Sequence, residues 1–149
     1  MIDFRDASLP ARAVREILGL TPHPEGGHFR EIWRDVPAGG GRGVATSILF
    51  LLAEGEFSRW HRVDAAEIWL WHAGAPLHLG LRDADSPEKT AKLGPQPQAG
   101  EVLQAVVPAG AWQEARSLGG WSLVGCVVAP AFEFSGFELA PPGWAPPVR

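Results

Sequence analysis

The chain has 149 residues, a length that fits one domain with a buried core. Its 13 basic and 17 acidic residues give a formal charge of −4, which argues against nucleic acid as the main partner. The chain start lacks a basic segment followed by an apolar run, and the longest apolar run, 48–53, is far shorter than the roughly 20 residues of a membrane span. A single cysteine, Cys126, cannot form an internal disulfide, so we expect a cytoplasmic protein with no membrane partner.

The first predicted element is a short helix near the start of the chain. Ser8 is placed to cap this helix, which runs through Leu18, and Gly19 is placed to end it. Val14, Ile17 and Leu18 give the helix one apolar face. The next segment, TPHPEGGHF, is rich in proline and glycine, which predicts a structured turn.

From residue 28 onward, short apolar or alternating segments are separated by turn signals, a pattern typical of β-strands. The predicted strands are 28–34, 45–52, 66–72, 77–82, 101–107, 121–129 and 132–139. The stretch 83–100 is rich in charge and proline, which predicts a loop with a short strand at 91–93. Many short strands after a single helix predict an all-β fold, an antiparallel sandwich or barrel, in one domain that spans 1–149.

The segment GEFSRWHRVDAAEIWLWHAG places a carboxylate among large aromatic residues. Residues two apart in a strand share a face, so Glu67, Trp69 and Trp71 point one way and His72 points the other. If the first face lines a barrel interior, burial should raise the pKa of Glu67. His61, which we expect on the preceding turn, is the nearest candidate partner.

The spacing in this segment resembles the first motif of the cupin superfamily. That motif reads glycine, five residues, His-x-His, three or four residues, glutamate, six residues and glycine. The chain matches it at Gly55, His61, Glu67 and Gly74. The second motif reads Pro-x-Gly, two residues and histidine, and the chain matches its spacing at Pro108, Gly110 and Gln113.

Longer stretches resemble a small single-domain cupin subgroup of unknown function, the cupin-5 type. They are LTPHPEGG, HRVDAAEIW, VPAGAWQEAR and LVGCVVAPAFEFSGFELAPPGW, and they cover nearly the whole chain. The resemblance implies a double-stranded β-helix, the jelly-roll barrel of cupins, which is usually dimeric. We therefore expect a homodimer that holds a small-molecule ligand in its barrel.

Two departures from the superfamily pattern affect the metal site that the resemblance implies. A typical cupin holds iron, manganese, nickel or zinc with three histidines and a glutamate. Here Val63 replaces the second histidine of the first motif, and Gln113 replaces the histidine of the second. The remaining set, His61, Glu67 and the amide oxygen of Gln113, is a weakened ligand set for a divalent metal ion, since amide oxygen is a poorer ligand than imidazole.

Several other side chains have two interpretations. Trp69, Trp71 and Trp112 either form an aromatic wall of a ligand pocket or pack in the core. Glu25, with His23, either lines the mouth of the cavity or stabilises its glycine-rich turn.

The leading functional hypothesis is acid/base chemistry, of the isomerase or epimerase kind, on a small polar or carbohydrate-like metabolite. His61 and Glu67 would transfer the proton, and Gln113 would orient a carbonyl or hydroxyl group. The chain has no tyrosine, so it cannot inherit the tyrosine acid of the cupin-like sugar epimerases. The alternatives are a non-catalytic ligand-binding barrel and a metal-dependent oxygenase or lyase with the reduced ligand set.

Overall fold

The computed structural model describes residues 1–6, 8–83 and 87–147. In these ranges it has one α-helix and eleven strands. The elements are α1 (Ala11–Leu18), β1 (Thr21–Pro22), β2 (His28–Arg34), β3 (Thr46–Ala53), β4 (Phe57–Val63), β5 (Ala66–Gly74), β6 (Leu77–Arg82), β7 (Lys89–Leu93), β8 (Gln104–Val107), β9 (Trp112–Ser117), β10 (Trp121–Ala129) and β11 (Phe137–Leu139). No helix in the described ranges is long and apolar enough to cross a membrane.

The strands form two sheets that face each other. One sheet has six strands in the order β1-β2-β3-β10-β5-β8, and the other has five in the order β11-β4-β9-β6-β7. Every pair of named neighbouring strands is antiparallel. Strands far apart in sequence are neighbours, as in β10 with β3, so the prediction of an all-β jelly roll with one short N-terminal helix is confirmed.

The alternation of side chains along β3 places apolar residues on both faces of the larger sheet. Phe50 and Leu52 point between the sheets, where they pack with the inward residues of β5, β6 and β10. Leu51 and Ala53 point outward and pack with Val14 of α1. The helix therefore covers the outer face of this sheet and leaves the space between the sheets to the barrel interior.

The start of α1 differs from the prediction. Pro10 occupies the N-cap position without a side-chain hydrogen bond to the helix, and the first helical residue is Ala11. Ser8 lies too early in the chain to cap, and its hydroxyl donates to Asp6 Oδ1 at 2.7 Å instead. Gly19 ends the helix as predicted, in the left-handed conformation with φ 63°.

Three strands were missed. The two-residue β1 lies in the segment predicted as a turn, and β4 and β9 were missed because charged residues on their exposed face interrupt the apolar pattern. His61 accordingly lies within β4 rather than on a turn. The predicted strand 101–107 shortens to Gln104–Val107, and 132–139 shortens to Phe137–Leu139 after a single 3-10 turn. The short strand predicted at 91–93 within the loop 83–100 is present as the longer β7, Lys89–Leu93, and residues 84–86 of this loop lie outside the described ranges.

Candidate functional site

A cavity of about 400 Å³ opens beside the β2 edge of the larger sheet and extends between the two sheets. Such a volume lies within the range of small-molecule sites. Its polar lining comes from His23, Glu25, Thr46, His61, Glu67 and Cys126. Its apolar lining comes from Phe29, Ile48, Val63, Val128, Phe132 and Phe134. Arg30, Glu31 and Arg34 stand at its exposed outer end.

The glycine-rich turn before β2 carries Glu25 into this cavity. The turn closes through backbone hydrogen bonds from His23 N to Gly27 O and from Gly26 N to His23 O, both 3.0 Å. It is held on β4 by Arg59 N, which donates to Glu25 O at 2.9 Å. Gly26 has φ 111°, and a Cβ there would lie 2.0 Å from the Phe57 carbonyl oxygen, so only glycine allows this close approach.

Glu25 and His61 form the central contact of the site. His61 Nε2 lies 3.2 Å from Glu25 Oε2, and both side chains are buried. The other carboxylate oxygen, Oε1, accepts a hydrogen bond from the buried Ser58 hydroxyl at 3.0 Å. These three residues come from the turn and from β4, so the turn contact on β4 assembles the cluster.

The hydrogen bonds of His61 identify its neutral tautomer. Its Nδ1 lies 2.7 Å from the Arg59 carbonyl oxygen, which can only accept, so Nδ1 carries the hydrogen. Nε2 then has a lone pair directed at a carboxylate oxygen of Glu25. At 3.2 Å, Nε2 and Oε2 form a hydrogen bond whenever either of them carries a proton, so a proton can pass between Glu25 and His61.

His23 extends the cluster on the side of the turn. Its Nδ1 accepts a hydrogen bond from Glu25 N at 3.2 Å, which leaves Nε2 to carry the hydrogen of the neutral ring. The ring packs edge-on against Phe29, with centroids 4.6 Å apart. Burial lowers the pKa of His23, so this ring is a neutral wall of the cavity near pH 7.

Glu67 is held by a hydrogen-bond chain that crosses between the two sheets. Gln113 Nε2 donates to Glu67 Oε2 at 2.6 Å, and Trp69 Nε1 donates to Gln113 Oε1 at 2.8 Å. All three side chains are buried. Because Glu67 and Trp69 lie on β5 and Gln113 lies on β9, the chain links the sheets behind the cavity.

Burial favours the uncharged forms of the buried acids and bases. It raises the pKa of Glu25 to about 6 and that of Glu67 to about 7, with repulsion between the two carboxylates adding to the Glu67 shift. Burial also lowers the pKa of His61, against the attraction of Glu67. Burial raises the pKa of the Cys126 thiol far above its usual range, and the charge of Glu67 adds to this shift, so Cys126 is not a nucleophile at neutral pH.

Six of the seven predicted site residues line the cavity or face the barrel interior behind it. His61, Glu67 and Glu25 line the cavity. Gln113 and Trp69 lie directly behind Glu67. Trp71 also faces the interior, where it packs in the core and donates its indole N–H to Ala75 O at 3.1 Å. The predicted register of β5, with Glu67, Trp69 and Trp71 inward, therefore holds. The roles of these residues remain predictions.

Trp112 lies on the opposite face of β9 from Gln113. Its ring contacts Trp144 of the C-terminal segment at a centroid distance of 4.6 Å, and the Arg62 guanidinium lies 4.8 Å from the ring centroid. The structure therefore places Trp112 in an outer aromatic contact and not at the cavity that His61 lines.

The residues at the predicted metal position do not fit a divalent cation. Gln113 turns its amide oxygen toward the Trp69 indole and its N–H toward Glu67, so it offers no oxygen at the position of the missing histidine. Across the described parts of the chain, no group of three or more histidine, cysteine, aspartate or glutamate side chains could hold a metal ion. Of this set, Gln113 and Glu67 are hydrogen bonded to each other, whereas His61 contacts the Arg59 carbonyl and Glu25.

Ser58 and the exact partner of His61 were missed by sequence reasoning. Ser58 lies on β4, a strand that the pattern did not predict, and Glu25 is 36 positions before His61. The available signal was the two-residue spacing of the buried His61 and Val63 in FSRWHRV, whereas Ser58 lies on their side only because the strand is irregular between Ser58 and His61. This signal was weak because the exposed Arg59 and Arg62 interrupt the apolar pattern of the strand.

Comparison with known proteins identifies close structural relatives. A hypothetical protein from Leishmania major is 32% identical, with a TM-score of 0.80, over 87% of this chain and 86% of that one. A protein from Shewanella oneidensis is 39% identical, with a TM-score of 0.83, over 89% of this chain and 85% of that one. No match was found among the curated proteins.

A more distant neighbour shows the same fold. Oxalate decarboxylase from Bacillus subtilis is 14% identical, with a TM-score of 0.62, over 79% of this chain but only 29% of its own length. Another structure of that enzyme is described by its Mn(II) centres, a property of that protein. At this identity the likeness concerns the fold alone.

The sequence profile of the family described as Cupin superfamily (DUF985) matches residues 12–140, which include the turn of Glu25 and both cupin motifs. The family model and this neighbour agree on the cupin fold. The chain belongs to the cupin superfamily, in the DUF985 family.

Proposed function

We propose that this chain binds a small polar metabolite in the cavity and transfers a proton on it, in an isomerase-like or epimerase-like reaction. The observation that carries the proposal is the buried contact of 3.2 Å between His61 Nε2 and Glu25 Oε2, across which a proton can pass. Glu67, with a pKa raised to about 7, is the second proton-transfer group. General acid/base groups work best when their pKa lies near the working pH, and burial supplies that here.

The chemistry of the cavity favours a neutral reacting group. Two buried carboxylates, Glu25 and Glu67, would repel an anionic group at the inner end, whereas a hydroxyl or carbonyl can hydrogen bond to either of them. The apolar lining, which includes Ile48 and Phe132, suits the carbon skeleton of the ligand. A small hydroxylated or carbonyl compound therefore fits best.

The test begins with identification of the ligand and continues with proton exchange. Native mass spectrometry of the protein after incubation with a metabolite extract gives the retained molecule, which is then incubated with the protein in heavy water. We expect deuterium to enter a carbon position of the molecule with wild type, and not with His61→Asn or Glu25→Gln. His78→Asn is the matched control, because His78 pairs with Glu114 on the outer face of the smaller sheet.

The outcomes separate the candidate functions. Retention of a ligand without any deuterium exchange in wild type would replace the enzyme with a non-catalytic binding barrel. Full exchange in His61→Asn would overturn the assignment of the Glu25–His61 pair. If the assignment holds, the pH dependence of exchange should report Glu25 and His61 as one coupled pair, together with the ionisation of Glu67.

We also propose that the chain forms a homodimer through the edge of β2. In the described part of the chain, the neighbouring strand β1 pairs only with His28 and Phe29, which leaves 30–34 with an open edge. Ile32 and Trp33 on this stretch are about half exposed. Light scattering should give about twice the 16.0 kDa chain mass, and Trp33→Glu should shift it to one chain mass. A single-chain mass for wild type at micromolar concentration would contradict the proposal.

A further inference from the structure

The buried chain from Trp69 through Gln113 to Glu67 has a direction that its chemistry fixes. An indole N–H can only donate, so the atom of Gln113 that faces Trp69 at 2.8 Å must be the amide oxygen. The amide nitrogen must then face Glu67, which it contacts at 2.6 Å. Rotating the amide by half a turn would place its N–H groups against the indole N–H and leave a buried donor without an acceptor.

We infer that Trp69 is a positioning residue that locks the Gln113 amide with its nitrogen toward Glu67, and thereby keeps an oxygen ligand out of the position where the cupin motif has a histidine. Its role in orienting Glu67 for proton transfer rests on the proposed function. The amide orientation and its consequence for metal binding do not depend on any substrate.

Two consequences follow at the inner end of the cavity. The first is that Glu67 Oε2 is occupied by the amide, so the other carboxylate oxygen is the one available to a ligand. The second is that a divalent cation beside Glu67 would meet the positive end of the amide dipole instead of its oxygen. Trp69 is 1% exposed and Gln113 is fully buried, so water does not offer the amide another partner.

The test uses nuclear magnetic resonance of the nitrogen-15-labelled protein. The Gln113 side-chain amide signals are assigned by their loss in Gln113→Leu. In Trp69→Phe we expect them to shift and their solvent exchange to accelerate at least tenfold, because the oxygen has lost its donor. Trp121→Phe is the matched control, since Trp121 is also buried and donates its indole N–H to Leu9 O at 2.7 Å, in the outer cluster that packs against α1 and not in the barrel interior.

A reciprocal measurement keeps the inference testable if Trp69→Phe does not fold. In Gln113→Leu, which is close in size to glutamine, the Trp69 indole proton should move upfield and exchange faster, while the Trp121 indole proton stays unchanged. Unchanged Gln113 signals in Trp69→Phe, or an unchanged Trp69 indole signal in Gln113→Leu, would overturn the inference, whatever the outcome of the deuterium-exchange assay.

The metal consequence is tested with Mn²⁺ alone on wild type. We expect no selective broadening of the Gln113 and Trp69 side-chain signals at equimolar Mn²⁺. Selective broadening of those signals would overturn the exclusion of a cation, even if the amide orientation itself were supported. Deuterium exchange that fails in wild type while the amide results hold would remove only the proton-transfer role.

Discussion

Gly26→Ala is expected to lower the free energy of unfolding by about 4 kcal/mol or more, which corresponds to a fall in melting temperature of roughly 8–16 °C for a chain of this size. The added Cβ would lie 2.0 Å from the Phe57 carbonyl oxygen, and the backbone has φ 111°, which alanine rarely adopts. The turn would have to lift from β4, which breaks the hydrogen bond from Arg59 N to Glu25 O and the contact between Glu25 and His61.

Gly40→Ala separates the steric clash of an added Cβ from the cost of placing alanine at a positive φ. Gly40 also has a positive φ, 80°, but an added Cβ there would have no neighbour within 4 Å. We expect this control to lower the unfolding free energy by only about 1–2 kcal/mol. Thermal melts by circular dichroism measure both variants. Similar losses for the two would mean that the contact of Gly26 on β4 does not hold the turn.

Glu67→Gln is expected to stabilise the protein above pH 7 and to leave its stability unchanged near pH 4. The pKa of Glu67 is raised from 4.5 to about 7 in the folded protein, so the folded state binds the proton more tightly than the unfolded chain does. Wild-type stability from this group therefore falls as the pH rises from about 4.5 to 7. The variant lacks this penalty, which amounts to roughly 3 kcal/mol at most.

Melting curves between pH 4 and pH 8 test this prediction. The gain at pH 8 should reach up to about 6–12 °C and disappear at pH 4. Glu138→Gln is the control, because Glu138 is exposed and pairs with Arg62 at the surface, where such a pair contributes little. A loss of stability in Glu67→Gln that is the same at every pH would instead mean that the Gln113–Glu67 hydrogen bond is structural.

The pKa values of two buried histidines shift in the opposite direction to that of Glu67, which adds a second pH region in which stability changes. Burial lowers the pKa of His61 and His23 below 6.5, so protonation of the unfolded chain at those positions destabilises the folded state as the pH falls below 6.5. The gain from Glu67→Gln is a difference between two proteins that both keep these histidines, so their contribution largely cancels.

Local pattern and motif spacing determined the fold class and one wall of the site. The alternation along β5 places Glu67 and Trp69 on the same inward face because the side-chain period of a strand is two. The spacing of His61 and Glu67, with that of Pro108 and Gly110, indicated the cupin barrel from the sequence alone. Such features depend on residues near each other in sequence, which is why they can be predicted.

Only the tertiary structure decided the partners of these residues. Glu25 reaches His61 because a glycine turn packs on β4, and no local pattern reports a contact across 36 positions. Trp112 shares a motif with Gln113 but points outward, since adjacent residues of a strand face opposite ways and β9 itself was not predicted. The contact of Glu25 with His61, like the direction of the Gln113 amide, depends on which polar atoms meet in space, and only the folded chain brings them together.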